Sequence, residues 1–309
     1  MTDPIEVTVV GGYLGAGKTT LVNHLLQSAE ERLAVLVNDF GDINIDEALI
    51  ESRDGDTISL ANGCICCSLV DGLAGALDTI RALDPAPDRV VIEASGVADP
   101  AGVAAYGHGP GYSLDAVVVV VDAETVRERA DDRYVGETVR GQLAAADLVV
   151  INKADLVTDD ELAAVQAWVA GLIPDALMVP AEQAQVDPAV LFGAVRPTGG
   201  APPDAADDQG HAGHRHGPQV FESWSWIGDQ PLPRARIEAL MAALPEQVVR
   251  AKGVVTLAED PSKSHVLQRV GRRWTLRPRR GSTGGPSTLV IIGVVGAVED
   301  GWLADAMAG

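Results

Sequence analysis

Gly12-Tyr13-Leu14-Gly15-Ala16-Gly17-Lys18-Thr19 fits the pattern G-x-x-x-x-G-K-[ST], and the flanking sequence fits the setting that pattern needs. Residues 5–10 form an apolar, β-branched run with one charge, the mark of a buried strand. Downstream, Leu21, Val22, Leu25 and Leu26 recur at helical spacing. Strand, glycine-rich loop and helix in that order predict a phosphate-binding loop. Backbone N–H groups there close around phosphate oxygens, and the helix N-terminus adds positive potential. Gly12, Gly15, Ala16, Gly17, Lys18, Thr19 and Thr20 are the expected nucleotide-binding residues. Lys18 is expected to reach the β- and γ-phosphates and the Thr19 hydroxyl to ligate Mg2+. A plain glycine turn with a chance lysine would require motif and flanking pattern to coincide by accident.

Composition narrows the partners. The chain has 309 residues, 47% of them hydrophobic, which is room for two domains. Lys plus Arg number 23 against 44 Asp plus Glu, a net charge of −21. That balance argues against nucleic acid or an anionic membrane as the main partner. A mononucleotide carrying its own Mg2+ needs only a local positive pocket. Residues 1–6 show no apolar signal region, and the apolar run at 289–298 is interrupted by glycine and too short to span a bilayer. Three cysteines within four residues cannot make a disulfide framework, so a reducing cytoplasm is the expected location.

Strands are predicted at 33–37, 57–60, 89–93, 114–122, 148–152 and 177–179, with a helical stripe at Leu69, Leu73, Leu77 and Ile80 and a helix over 161–173. Over residues 1–195 this alternation predicts an α/β P-loop domain with a doubly wound, mostly parallel sheet. Residues 196–219, rich in Gly, Pro, Asp and Ala and without apolar period, read as a linker. Strand patterns around Trp224 and Trp226 and at 248–257, 265–270, 273–276 and 288–295 follow, with helices over 237–244 and 299–307. Residues 220–309 are therefore expected to form a smaller α+β domain.

Five further groups of residues carry chemistry. Asn152-Lys153-Ala154-Asp155 follows an expected strand directly. A carboxylate at Asp155 can accept from both the ring N–H and the exocyclic amine of guanine, whereas adenine would leave it unpaired. Lys153 can cover the base. Glu93, at another strand end, is expected to hold Mg2+, through water in the usual arrangement, and Gly96 to face the γ-phosphate. Lys18, Thr19, Glu93 and Gly96 form the expected catalytic set, with Asp122 read as structural. Cys64, Cys66 and Cys67 can offer three soft ligands to one metal ion, Zn2+ above all, with Co2+, Fe2+ or Cu+ as alternatives, and three ligands leave one position open. The other reading is three buried apolar cysteines. His211, His214 and His216 in the linker are either accessory metal ligands or solvated loop residues. Asp39 and Asp42 can reach Mg2+ through water, supply a carboxylate to the transition metal, or be an exposed acidic loop. His108 is a weak ligand candidate, His24 reads as a helix-face residue and His265 as structural.

In order, G-G-Y-L-G-A-G-K-T-T, G-C-I-C-C, E-A-S-G-V-A-D-P and N-K-A-D resemble the CobW family of P-loop GTPases, relatives of the urease- and hydrogenase-maturation GTPases. The segment 224–271, with Leu-Pro-Glu-Gln-Val-Val-Arg-Ala-Lys-Gly-Val-Val and Val-Leu-Gln-Arg-Val-Gly, is similar to the family's C-terminal domain. The resemblance implies GTP hydrolysis coupled to delivery of a transition metal held by Cys64, Cys66 and Cys67 to a client protein or cofactor pathway. It also implies a histidine-bearing linker. One departure stands out: the family has Asn-Glu-Phe-Gly where this chain has Asn38-Asp39-Phe40-Gly41, which puts direct metal ligation by the shorter Asp39 in question. The competing classes are a non-catalytic zinc-buffering protein gated by nucleotide, and an ATP-dependent phosphotransferase, which Asn152 to Asp155 argues against.

Overall fold

Apolar runs make the framework. The computed structural model describes residues 4–29, 31–38, 58–59, 69–193, 221–279, 283–299 and 301–308. Strands β1 (Ile5–Gly11), β2 (Leu33–Asn38), β3 (Ile58–Ser59), β4 (Arg89–Ala94), β5 (Tyr112–Asp122), β6 (Leu148–Asn152) and β7 (Leu177–Ala181) form one sheet in the order β3-β2-β4-β1-β5-β6-β7. Every pairing among them is parallel. Parallel strands are covered on both faces and so read as continuous apolar runs; every residue of β4 and of β6 is buried. One face is covered by α1 (Lys18–Ser28) and α7 (Pro188–Phe192). The other carries α2 (Leu69–Arg81), α3 (Pro100–Ala104), α4 (Val126–Asp131), α5 (Gly136–Ala144) and α6 (Asp159–Leu172).

The expected helix over 161–173 starts two residues earlier because Thr158 and Glu161 form a reciprocal capping box. Apolar periodicity predicts no helix at α3, α4, α5 or α7. They have five, six, nine and five residues, too short for an apolar stripe to declare itself. Two of them carry a shorter signature. Asp99 and Asp187 each cap a helix whose next residue is proline, accepting from the N–H of Ala101 and Ala189.

The second sheet contains β8 (Phe221–Gly228), β9 (Val248–Leu257), β10 (Asp260–Val270), β11 (Arg273–Pro278) and β12 (Ser287–Val294), antiparallel in the order β11-β10-β9-β12-β8. Helices α8 (Arg234–Ala243) and α9 (Trp302–Ala308) cover one face, around Ile237, Leu240, Leu267, Ile291 and Leu303. Val249, Val270 and Ile292 point the other way and join the core of the first sheet beside Leu191 and Phe192.

Charge, as well as apolar contact, joins the two sheets. Arg89 begins β4 and is 0% exposed. It donates to Glu6 at 2.6 Å, Glu31 at 2.9 Å and Asp115 at 2.6 Å, and to the Phe192 carbonyl at 3.2 Å. Its guanidinium lies 4.3 Å from the centre of the Phe192 ring. From the second sheet, Arg250 pairs with Asp115, and Lys252 reaches Glu6 at 2.5 Å. Three cations thus meet three carboxylates. Burial alone would raise the Asp115 carboxyl; Arg250, Arg89 and Lys252 outweigh it and hold the group below the usual carboxylate range. Arg273 adds a more exposed pair with Asp147 at 2.8 Å.

Asp115→Ala leaves two buried guanidinium groups short of a partner and should destabilise the protein by about 3–5 kcal/mol in urea unfolding. Arg273→Ala should cost less than about 1 kcal/mol. Because the folded carboxyl titrates below its unfolded value, the stability from Asp115 is present above about pH 4 and lost as pH falls further. The difference between wild type and Asp115→Asn should shrink in that acid range; a constant difference would contradict the pairing.

Candidate functional site

The strand order places β1 between β4 and β5, so the loop after β1 opens beside the end of β4. Val10 pairs with Glu93 in the register of these strands. The glycine-rich loop runs from β1 to α1, whose N-cap is Gly17 at φ 105°. A side chain there would be strained by that φ, and its Cβ would lie 2.3 Å from the Asn152 amide nitrogen. The first turn of α1 carries no acidic residue, and a helix N-terminus leaves N–H groups that suit an anion.

Lys18 is buried and folds back over the loop, with Nζ 3.5 Å from the Tyr13 carbonyl. The Thr19 hydroxyl donates to Glu93 Oε1 at 2.8 Å, and Glu93 is 2% exposed. A hydroxyl and a carboxylate in contact form a hard-oxygen donor pair, the kind that suits Mg2+. These two residues lie 74 positions apart in the chain.

At the end of β6, the Asn152 amide performs two tasks. Its Nδ2 donates to the Ala16 carbonyl in the loop at 2.9 Å, and its Oδ1 accepts from the Ala184 N–H at 2.7 Å. The next residue, Lys153, takes the left-handed conformation at φ 60° and places Nζ 2.6 Å from Asp122 Oδ2. Asp122 is thus a partner of Lys153, in keeping with a structural role. Asp155 follows in a short 3-10 turn (Ala154–Leu156) and is exposed. Asn152 therefore binds together three segments: the glycine-rich loop, the N-K-A-D turn and the turn after β7.

No residue type in the sequence marks the turn after β7. Gln183 and Ala184 both have positive φ, 50° and 55°. Neither is a glycine or an asparagine, so the usual signature of such a turn is missing. Among the histidines, His24 lies on α1 with Nε2 2.9 Å from the Val186 carbonyl, and His265 is buried in β10. His108 is exposed, and no group of three potential metal-holding side chains occurs among the described residues. Cys64, Cys66, Cys67, Asp39, Asp42, His211, His214 and His216 lie outside the described residues.

A family model described as CobW/HypB/UreG, nucleotide-binding domain, matches residues 6–180, and one described as cobalamin synthesis protein cobW C-terminal domain matches residues 221–304. A zinc chaperone CobW from Sinorhizobium sp is 31% identical across 94% of this chain and 93% of its own length. A zinc chaperone CobW from Pseudomonas aeruginosa is 33% identical across 87% of this chain and 81% of its own. A zinc-regulated GTPase metalloprotein activator 1 from Schizosaccharomyces pombe is 31% identical across 53% of this chain and 42% of its own.

Asn152→Leu keeps the bulk but orphans the Ala16 carbonyl and the Ala184 N–H. It should cost about 1–3 kcal/mol for each group left buried without a partner, measured by urea unfolding. Lys153→Ala, at a partly exposed pair, should cost less than about 1 kcal/mol. Equal stability of Asn152→Leu and the wild type would remove the tie.

Proposed function

The chain belongs to the CobW/HypB/UreG nucleotide-binding family, and from there we propose that it is a Mg2+-dependent GTPase that takes up a divalent transition metal, zinc foremost, and delivers it to a client protein. The observation that carries this reading is the Asn152 side chain, which bonds Ala16 in the glycine-rich loop and thereby ties phosphate binding and base reading into one site. Relatives named as zinc chaperones and as a zinc-regulated GTPase activator support the cargo and the reaction class.

In this reading Gly12, Gly15, Ala16, Gly17 and Thr20 close backbone and hydroxyl groups around the phosphates. Lys18 swings from the Tyr13 carbonyl to the β- and γ-phosphate oxygens, where its charge offsets the negative charge that develops on the leaving oxygen. Thr19 and Glu93 would hold Mg2+, with Asp39 as a further oxygen donor through water. When bound, Mg2+ neutralises charge on the same phosphate oxygens. Gly96 faces the γ-phosphate, so loss of phosphate after water attacks the γ-phosphorus is felt in the turn it begins. Asp155 accepts from guanine while Lys153, steadied by Asp122, covers the base. Zinc is cargo. The thiolates of Cys64, Cys66 and Cys67 hold it with one position open for transfer, and His211, His214 and His216 assist its capture. The client is a protein that lacks its metal, and the reducing cytoplasm is the compartment where such thiolates persist. No helix among the described residues is long and apolar enough to cross a membrane.

Nucleotide competition tests the base assignment and the reaction together. The wild type should hydrolyse GTP with Mg2+ and bind guanine nucleotides at least about a hundredfold more tightly than adenine nucleotides, the scale set by a carboxylate that a bound base covers and leaves unpaired. Asp155→Asn should weaken GTP and admit xanthosine triphosphate. Equal affinity for ATP and GTP in the wild type would contradict the assignment.

A further inference from the structure

The turn that begins at Gly96 is gripped from two sides. On one side it meets the glycine-rich loop. A Cβ on Gly96 would lie 3.0 Å from the Leu14 nitrogen and 2.4 Å from its Cδ2, so a side chain here would crowd the loop backbone and displace the Leu14 side chain. On the other side is Gln142, in α5 and 2% exposed. Its Nε2 donates to the Gly96 carbonyl at 3.1 Å and to the Ala98 carbonyl at 3.0 Å. Both amide hydrogens of one side chain are therefore committed to two carbonyls of one turn. The turn's own closure is the bond from the Ala98 N–H to the Ser95 carbonyl at 2.9 Å.

The rest of the boundary between this turn and α5 is open. A cleft of about 310 Å3 lies there, with Val97 and Asp99 on one wall and Glu137, Thr138 and Gly141 on the other. Val97 is 52% exposed. Ala98 packs against the core of the sheet, and on the α5 side Gln142 supplies the hydrogen bonds that orient the turn. In a trans peptide the C=O and the following N–H point in opposite directions. Holding the Gly96 carbonyl toward α5 therefore turns the Val97 N–H away from α5, and holding the Ala98 carbonyl does the same for the next peptide but one.

We propose that Gln142 is a positioning residue for the nucleotide-sensing turn: it fixes the peptide planes at Gly96 and Ala98 in the orientation that distinguishes GTP from GDP. The proposal rests on the GTPase reading above and adds to it a residue from α5, 46 positions from Gly96 in the chain. Gln142 does not touch the nucleotide. Its effect passes through the two carbonyls it holds.

The test compares wild type, Gln142→Met and Gln142→Glu for affinity toward fluorescent GDP and a non-hydrolysable GTP analogue, and for kcat and KM. Thermal melting checks the fold. Gln142→Met retains length and volume and removes both donors. It should bind GDP within about twofold of wild type and lose about tenfold in its preference for the triphosphate, as expected for two neutral hydrogen bonds, with KM for GTP rising by a similar factor. Gln142→Glu donates only when its carboxyl is protonated, so its deficit relative to wild type should shrink from about pH 8 to about pH 6. A wild-type triphosphate preference retained in Gln142→Met overturns the positioning role and leaves the GTPase reading standing. If Gln142→Met fails to fold, a pH-independent Gln142→Glu deficit overturns it instead. A wild type that neither distinguishes the two nucleotides nor hydrolyses GTP overturns both.

Discussion

A guanidinium taken wholly out of water must be neutralised where it lies, and Arg89 is 0% exposed. Its partners come from β1, from the segment before β2, and from β5, so four separate stretches of chain are fixed around one charge. Two of those partners, Glu6 and Asp115, also accept Lys252 and Arg250 from the second sheet. Neither sheet completes the cluster alone. A buried pair is weak evidence of net stability against an apolar substitute, but it is strong evidence of a fixed geometry, since removing one partner strands the others.

The position of this cluster leaves the opposite end of the sheet free. Arg89 is the first residue of β4 and Glu93 the fifth, so the two lie about 13 Å apart along one strand. The N-terminal ends of the strands carry the second sheet. The C-terminal ends carry the glycine-rich loop, the Thr19–Glu93 contact and the Asn152 tie. The crevice outside the carboxyl ends of parallel strands is where open α/β sheets place ligands. Gln142 brings α5 to the same end, and the three cysteines fall in sequence between β3 and α2.

Much of this was legible in the chain, for a physical reason. Strands buried on both faces must be apolar along their length, so 89–93, 114–122 and 148–152 declared themselves. The loop that follows β1 needs glycine where backbone must approach phosphate, which makes it readable too. What escaped reading depends on contacts distant in sequence or on exceptions to local rules. Arg89, Asp115, Arg250 and Lys252 look like ordinary strand charges until the fold pairs them across as many as 246 positions. Gln183 and Ala184 adopt positive φ without the residue types that advertise it. Gln142 sits in a nine-residue helix with nothing to mark it as other than a surface amide. The Asp-Pro starts of α3 and α7 were readable signals that apolar periodicity passes over. The cysteine and histidine motifs are readable only as sequence, because they lie outside the described residues.

In the proposed function, one molecule couples the state of a guanine nucleotide to the holding of a metal ion. The most direct measurement is a Zn2+ or Co2+ titration of the wild type and of Cys66→Ser, with GDP and with a non-hydrolysable GTP analogue. The triphosphate should tighten metal binding by about 5- to 150-fold, the range of ordinary allosteric couplings, and metal should tighten the triphosphate by the same factor. Metal binding should be weaker in Cys66→Ser. Equal metal affinity in both nucleotide states would contradict the coupling, and wild-type affinity in Cys66→Ser would take that cysteine out of the metal site.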